Sequence, residues 1–290
     1  METTTIRILV TGANGQLGQS LREKVKNETI LEFLFVNKNE LDITVSTQIE
    51  ACIDQFAPHF IINTAAYTQV DQAETQEQTA FIINQKGVAN LAQVCKTNNI
   101  GLIHISTDYV FDGKKENPYL PDDSTNPQGI YGKSKLAGER AIIESGLSQY
   151  WIIRTSWLYS PYGHNFVKTM LRLSAERNTL SIVHDQIGNP TSALDLATAL
   201  IKIVPKLAVV NSGIYHFVNK EETSWYHFAK AIFEIKNKTC TLSPIPTSQY
   251  PTAAQRPLYS VLDTQKIEEK FQIPIRHWRT ALQEMLLTNY

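Results

Sequence analysis

Cysteine is scarce in this chain: Cys52, Cys95 and Cys240 form an odd, widely spaced set. That spacing excludes a disulfide framework and a Cys-x-x-Cys motif, and it suits a reducing cytoplasm. An excess of one charge is also missing. Lys and Arg total 27 against 28 Asp and Glu, a formal net charge of -1, with no run of like charges. Such a balance carries no footprint for nucleic acid, though scattered Lys or Arg can still hold an anionic small molecule. Long apolar runs are absent as well. The first run, Ile6–Val10, is far too short for a signal peptide or a membrane span, so no membrane association is expected. Neither His-Glu-x-x-His nor Gly-x-Ser-x-Gly occurs and the histidines are scattered, so no metal site is expected. Asn-x-Thr triplets begin at Asn27 and Asn237; without a secretion signal both read as chance.

What is present is core material. Hydrophobic residues make up 42% and charged residues 19%, enough for a sizeable core and against disorder. Ile6–Val10, Leu31–Val36, Phe60–Asn63, Leu102–Ser106 and Trp151–Arg154 read as buried strands, short and apolar on both faces. Helices are expected over Leu17–Lys26, Ser46–Phe56, Gln78–Thr97 and Tyr131–Ser145. The alternation predicts an α/β fold, a doubly wound parallel sheet of the Rossmann type. After Tyr159 the pattern changes: helices over Asn165–Glu176, Ala193–Val204, Trp225–Lys236 and His277–Leu287, short extended pieces such as Ile214–Val218, and a loop-rich section marked by Pro244, Pro246, Pro251 and Pro257. The expected division is a dinucleotide-binding domain over 1–159 and a smaller C-terminal substrate lobe over 160–290, from which late strands rejoin the first sheet.

Thr11-Gly12-Ala13-Asn14-Gly15-Gln16-Leu17-Gly18 follows the first strand and opens the first helix. The glycines let backbone turn tightly against a pyrophosphate, and the helix N-terminus offers N–H groups and a positive dipole end. A lone glycine triplet is weak evidence, but after an N-terminal strand in a β-α-β pattern it marks nucleotide binding. An acidic residue at the end of the second strand is the usual holder of an NAD ribose. Here that strand ends Phe35-Val36-Asn37-Lys38, with no carboxylate. Asn37 can bond a ribose without repelling a 2′-phosphate and Lys38 attracts one, which favours NADPH over NADH; the alternative for Lys38 is a solvated loop cation. Asp42 and Ile43 are expected beside the adenine ring.

Tyr131-Gly132-Lys133-Ser134-Lys135 places a phenol and an ammonium at i and i+4, on one helix face. A nearby ammonium favours phenolate, so Lys135 is expected to lower the Tyr131 pKa and make the tyrosine a usable acid or base. The pattern alone recurs by chance, and a second match runs from Tyr226 to Lys230. Context separates them: Tyr131 follows the fourth strand, at the sheet's carboxyl edge where ligands bind, whereas Tyr226 falls in the C-terminal lobe. Ser106-Thr107-Asp108-Tyr109 leaves the fourth strand at the same edge. A hydroxyl there can donate to a substrate carbonyl beside Tyr131; the bland alternative is a strand-end turn capped by Thr and Asp.

Taken together these segments resemble the extended short-chain dehydrogenase/reductases and, within them, the dTDP-4-dehydrorhamnose reductases. The likeness rests on Thr11–Gly18, Leu41–Thr44, Asn63–Asp71, Ser106–Gly113, Tyr131–Glu139, Arg154–Trp157, Asp185–Thr191 and Arg256-Pro257, in the family's order and across nearly the whole chain. The resemblance implies reduction of the 4-keto group of a dTDP-sugar to dTDP-L-rhamnose by hydride from nicotinamide C4; on the Asn37–Lys38 reading the expected cofactor is NADPH, with NADH as the lesser. It implies that Tyr131 protonates the C4 oxygen, Lys135 binds the nicotinamide ribose and Thr107 orients the carbonyl. It places Asp108, Tyr109 and Trp157 on the sugar, Ala65, Ala66 and Tyr67 on the cofactor, and Thr68 and Val70 near the substrate. Arg256 either faces the substrate pyrophosphate or forms a surface salt bridge, and Trp157 either meets the sugar or packs in the core. A homodimer is compatible with the family, but Gln19-Ser20-Leu21-Arg22 lacks the glutamate that some members use in magnesium and dimer contacts. Pro121 stands where an acid is common in the family.

Two rival readings follow. One is another extended-family sugar-nucleotide enzyme, a 4-epimerase or a dehydratase; Asp108 followed by Tyr109 lacks the acidic pair typical of dehydratases. The other is a non-catalytic NADP-binding regulatory subunit like that of methionine adenosyltransferase, against which the Thr107, Tyr131 and Lys135 set argues.

Overall fold

The computed structural model describes residues 5–27, 30–207 and 211–289. The first four residues of the N-terminal stretch and the last two of the Asn27 triplet lie outside them. The five apolar runs form strands β1 (Ile6–Thr11), β2 (Leu31–Val36), β3 (Phe60–Asn63), β4 (Gly101–Thr107) and β5 (Tyr150–Thr155), each within one residue of the bounds read from sequence. All pair in parallel. Their central side chains, such as Ile8, Leu9 and Val10, are fully buried, each contributing roughly 1.5–3 kcal/mol. Continuous apolar runs are what a sheet covered on both faces demands.

Between the strands come α1 (Gln16–Lys24), α2 (Ser46–Phe56), a broken helical run and α6 (Ile130–Glu144). Helix α2 stops where Ala57 turns left-handed, φ 48, ahead of Pro58, a residue that disfavours helix before it. After a short α3 (Val70–Ala73), the run expected as one helix over Gln78–Thr97 is instead α4 (Glu77–Phe81), a π-helical turn Ile82–Gly87, and α5 (Val88–Asn98). At that turn Gly87 packs on Ile43, leaving no room for a side chain: a Cβ would come 2.7 Å from Ile43 Cγ1. The wide turn aims Asn84 inward, fully buried, a common use of π-bulges.

The rest of the chain supplies β6 (Leu158–Tyr159), α7 (Phe166–Glu176), β7 (Thr179–Val183), β8 (Ile187–Gly188), β9 (Thr191–Ser192), α8 (Ala193–Ile203), β10 (Gly213–His216), β11 (Thr223–Ser224), α9 (Trp225–Ile235), β12 (Thr241–Ile245), α10 (Gln265–Phe271) and α11 (Trp278–Asn289). Strand β10 pairs with β5 and completes a six-stranded sheet in the order β10-β5-β4-β3-β1-β2. One face of that sheet is covered by α1, α8 and α10, the other by α2, α5 and α6. Helices α7, α9 and α11 with the β7–β12 pair enclose a separate apolar core. Tyr226 packs partly buried against that core while Lys230 is exposed, so the second Tyr-x-x-x-Lys match lies in the other lobe.

Candidate active site

At the carboxyl end of β1 the backbone makes a turn that side chains cannot enter. Gly12 has φ +71, and a Cβ there would sit 2.6 Å from Ala65 N; one on Gly18 would sit 2.6 Å from Gly12 O. Both positions therefore require glycine. No side chain caps α1, so its first-turn N–H groups face a cleft of about 300 Å³ lined by Gly12, Asn14, Gly15, Lys38, Asp42 and Ala65, among others. Asn37, Ile43 and Ala66 line it too. Gln16 and Leu17 offer only backbone: Leu17 is core, and Gln16 Oε1 accepts from Ser160 and Asn165 at 3.0 and 2.9 Å. A bare helix N-terminus beside a glycine cradle fits a dinucleotide pyrophosphate. At the end of β2 the structure adds what the sequence reading missed. The loop after Asn37 doubles back, and Glu40 Oε2 accepts from Asn37 N–H at 2.8 Å, so a carboxylate does reach that strand end. The Asn37 side-chain oxygen is itself occupied by Asn39 N–H, at 2.8 Å.

Helix α6 carries the second half of the site. Glu74 Oε1 accepts from Ile130 N–H at 2.8 Å and caps its start. Gly132 lets it lie on the turn after β4, where a Cβ would strike Tyr109 O at 2.2 Å. Tyr131 then meets Tyr109 edge to face, centroids 5.5 Å apart, close to the Thr107 hydroxyl. Thr107 Oγ1 donates to Asp108 Oδ1 at 2.9 Å and accepts from Tyr109 N–H. Burial drives the acids here upward. The Asp108 carboxyl rises to about 6 against hydrogen bonds from Thr107 and Ser260, and its Oδ2 has no well-aligned partner.

Lys135 departs from expectation. Its ammonium donates to Ile105 O at 2.7 Å and lies 3.4 Å from His104 Nε2. Burial, opposed by the Glu139 charge, lowers it to about 8. Tyr131 is raised to about 12, chiefly by burial and further by the Asp108 charge, with only Thr107 opposing. The expected lowering of the Tyr131 pKa is thus corrected: desolvation of the phenol outweighs any help from Lys135, whose charge is turned toward β4.

Beyond Tyr109 opens a cleft of about 730 Å³ between the two lobes, lined by Asp71, Phe166, Arg177, Gln186, Trp225 and Arg256, among others. Arg256 both lines this cleft and donates to Asp71 Oδ2 at 2.6 Å. Trp157 takes a left-handed backbone, φ 47, uncommon for a bulky side chain. Its indole stacks on Trp225, centroids 3.5 Å apart, and lies over Gly188. Tyr67 is held through its backbone: Asn84 accepts from its N–H and donates to its carbonyl, at 2.8 and 3.0 Å. Val70 opens α3, and exposed Thr68 lines neither cleft. Among the described residues no group of three or more His, Cys, Asp or Glu side chains comes together as a metal site.

The profile of the family described as "RmlD substrate binding domain" matches residues 6–290. The chain belongs to this family. A dTDP-4-dehydrorhamnose reductase of Aggregatibacter actinomycetemcomitans is 44% identical over 288 residues, covering 96% of this chain and 98% of the relative. A dTDP-4-keto-6-deoxy-D-glucose reductase of Streptomyces niveus is 38% identical, covering 96% of both. Among solved structures, a dTDP-4-dehydrorhamnose reductase of Bacillus anthracis in complex with NADP superposes with TM-score 0.93, at 39% identity, over 98% of this chain and 99% of that one.

Several residues that shape the site in this RmlD-family chain carry no local signal. Asn84 also donates to Ser134 Oγ at 3.0 Å, tying the Tyr67 loop to α6. Glu139 and Arg154, 1% and 2% exposed, form a two-pronged pair at 2.7 and 2.9 Å. Ser106 Oγ adds a donation to Glu139 at 2.5 Å, and Arg154 Nη1 donates to Pro121 O at 3.1 Å. Pro121, the departure noted in the sequence, thus serves the site through its carbonyl.

Proposed function

We propose that this chain reduces the 4-keto group of dTDP-4-dehydro-6-deoxy-L-mannose to dTDP-L-rhamnose, using NADPH. One observation carries the reading. The Tyr131 phenol stands against Tyr109, on the turn that Thr107 caps, at the carboxyl edge of the sheet, between a glycine-cradled cleft and a wider one bearing Arg256. Residues 1–159 then hold the dinucleotide, and 160–290 mainly the sugar nucleotide, apart from β10.

Bound NADPH supplies hydride to the carbonyl carbon. The chain supplies the rest. Gly12, Asn14, Gly15 and Gly18 admit the pyrophosphate, Gln16 and Leu17 offer it N–H groups, and Lys38 faces the 2′-phosphate. Asp42 and Ile43 flank the adenine; Ala65, Ala66 and Tyr67 bound the far side. Tyr131, raised to about 12, is protonated at neutral pH and gives its proton to O4 as charge develops there. Thr107, its hydroxyl proton turned from Asp108 Oδ1 to that oxygen, donates a second hydrogen bond. Lys135 binds the nicotinamide ribose; Asp108, Tyr109 and Trp157 hold the sugar, and Arg256 the diphosphate.

The test is turnover. Pure protein with NADPH and dTDP-4-keto-6-deoxy-L-mannose should oxidise the cofactor and form one equivalent of dTDP-L-rhamnose. Turnover of dTDP-4-keto-6-deoxy-D-glucose alone would move the chain to the substrate in the Streptomyces niveus relative's name. Sugar interconversion without NADPH consumption would make it an epimerase.

A further inference from the structure

One row of side chains has no place in the proposed chemistry, yet it ends on Lys135. Thr11, Asn63 and His104 are register partners on β1, β3 and β4, so their side chains stand in line on one face of the sheet. All three are buried, His104 completely. Thr11 Oγ1 donates to Asn63 Oδ1 at 2.7 Å, and Ala65 N–H reaches the same oxygen at 3.2 Å. The Ala65 contact decides the amide's orientation, because an N–H cannot face the amide nitrogen. Asn63 Nδ2 therefore points the other way, 2.9 Å from His104 Nδ1.

An amide NH₂ only donates, so His104 Nδ1 must accept and carries no proton. The neutral ring then holds its proton on Nε2. Nε2 lies 3.4 Å from Lys135 Nζ. A lysine ammonium has three donors and no acceptor, so it gains no hydrogen bond from an N–H; a neutral amine does, by accepting. We propose that His104 is a positioning residue for Lys135: its Nε2 proton faces the lysine nitrogen, disfavouring the ammonium and offering the neutral amine a hydrogen bond, and Asn63 keeps the proton on that side of the ring. The inference rests on the reading of Lys135 as a site residue. It extends that reading to two strands on the far side of the phosphate-binding turn, since Thr11 and Ala65 border Gly12.

The surroundings agree. The charged and titratable groups around Lys135 are Tyr131 and Glu139 on its own helix, His104 on β4, Asp108 on the turn that follows, and Arg154 on β5, bound to Glu139. Glu74 caps the start of α6, and Lys86 and Lys96 are exposed. Among these charges Glu139 is the one that raises the lysine, beside the Ile105 carbonyl, and its carboxylate is already taken by Arg154 and Ser106. His104 is held well below its ordinary range by burial and by the Lys135 charge, so the ring stays neutral. Lowered to about 8, Lys135 is mostly ammonium at neutral pH, held by its donation to Ile105 O, and its minor neutral amine is the form that accepts from the ring.

Two NMR measurements on the protein without cofactor test this. Long-range ¹H–¹⁵N correlation on histidine-labelled protein, assigned with His104→Gln, should show Nε2 protonated and Nδ1 bare. An Nδ1-protonated ring overturns the proposal. Asn63→Asp replaces the donor with a carboxylate, which draws the ring proton to Nδ1 and turns the Nε2 lone pair toward Lys135. The Lys135 ε-resonance, assigned with Lys135→Met, should then titrate about one pH unit or more higher than in wild type. A switched ring with an unchanged lysine titration overturns the proposal, as does a ring that does not switch. If Asn63→Asp fails to fold, the wild-type ring decides alone. Neither measurement needs turnover, so an inactive wild-type protein would count against the proposed function and leave the ring assignment standing on its own result.

Discussion

Replacing Arg154 with Met should be among the costliest single changes in this chain. The guanidinium is 2% exposed. It makes two charge-assisted hydrogen bonds to Glu139, at 2.9 and 2.7 Å, and one to Pro121 O at 3.1 Å. Met fills much of the volume, so cavity formation is a minor part. The main cost is electrostatic, because Glu139, 1% exposed, keeps the Ser106 hydroxyl as its remaining hydrogen-bond donor. Breaking a buried pair in this way costs about 3–5 kcal/mol, a large share of the roughly 5–15 kcal/mol that stabilises a folded protein. For a chain of this size that is a fall in Tm on the order of 10 °C, read by circular dichroism at pH 7. The double variant Arg154→Met/Glu139→Gln removes the stranded charge and should recover at least about 1 kcal/mol of the loss. Arg154→Lys should lie between, because an ammonium cannot span both carboxylate oxygens and the Pro121 carbonyl. A single Arg154→Met variant within about 1 kcal/mol of wild type would refute the reasoning, showing that the carboxylate finds solvent or a proton at little cost.

Three further outcomes follow from the site. Tyr131→Phe should lower kcat by roughly 10²–10⁴-fold, the usual worth of a positioned acid, while Tyr226→Phe leaves turnover near normal; the reverse result would relocate the site. Lys38→Ala should reduce kcat/KM for NADPH and barely change it for NADH, whereas equal losses for both cofactors would make Lys38 a bystander and point to Glu40 as the residue governing that strand end. Asp108 is a carboxyl pushed up by burial to about 6, from an ordinary 3.8. The folded chain therefore binds the proton more tightly, and stability is lost as pH rises from about 4 to about 6. The ionised carboxylate costs on the order of 3 kcal/mol above that window, so Asp108→Asn should be more stable than wild type at pH 7 and equal to it near pH 3. Equal stability at both pH values would show that the carboxylate is well solvated.

Local sequence determined the parts of this protein that depend on near neighbours. The β1–β5 runs are legible because a strand covered on both faces needs an unbroken apolar stretch. The Gly12–Gly18 turn is legible because tight backbone packing admits no other residue, and the Tyr131–Lys135 face because positions four apart on a helix point the same way. Tertiary structure alone decided what surrounds them. Arg256 meets Asp71 across 185 positions, and the Glu139–Arg154 pair closes only when α6 lies against β5. Glu40 reaches the end of β2 because its loop folds back, and Asn84 reaches the Tyr67 backbone because a π-helical turn rotates it inward. The direction of the Tyr131 pKa is beyond local sequence for the same reason: spacing shows that a lysine is near, while desolvation and the hydrogen bond that turns its ammonium toward Ile105 depend on the packed interior. Proximity along a chain is written in its residues, but burial and choice of partner are properties of the assembled sheet and helices, where distant segments compete for the same polar groups.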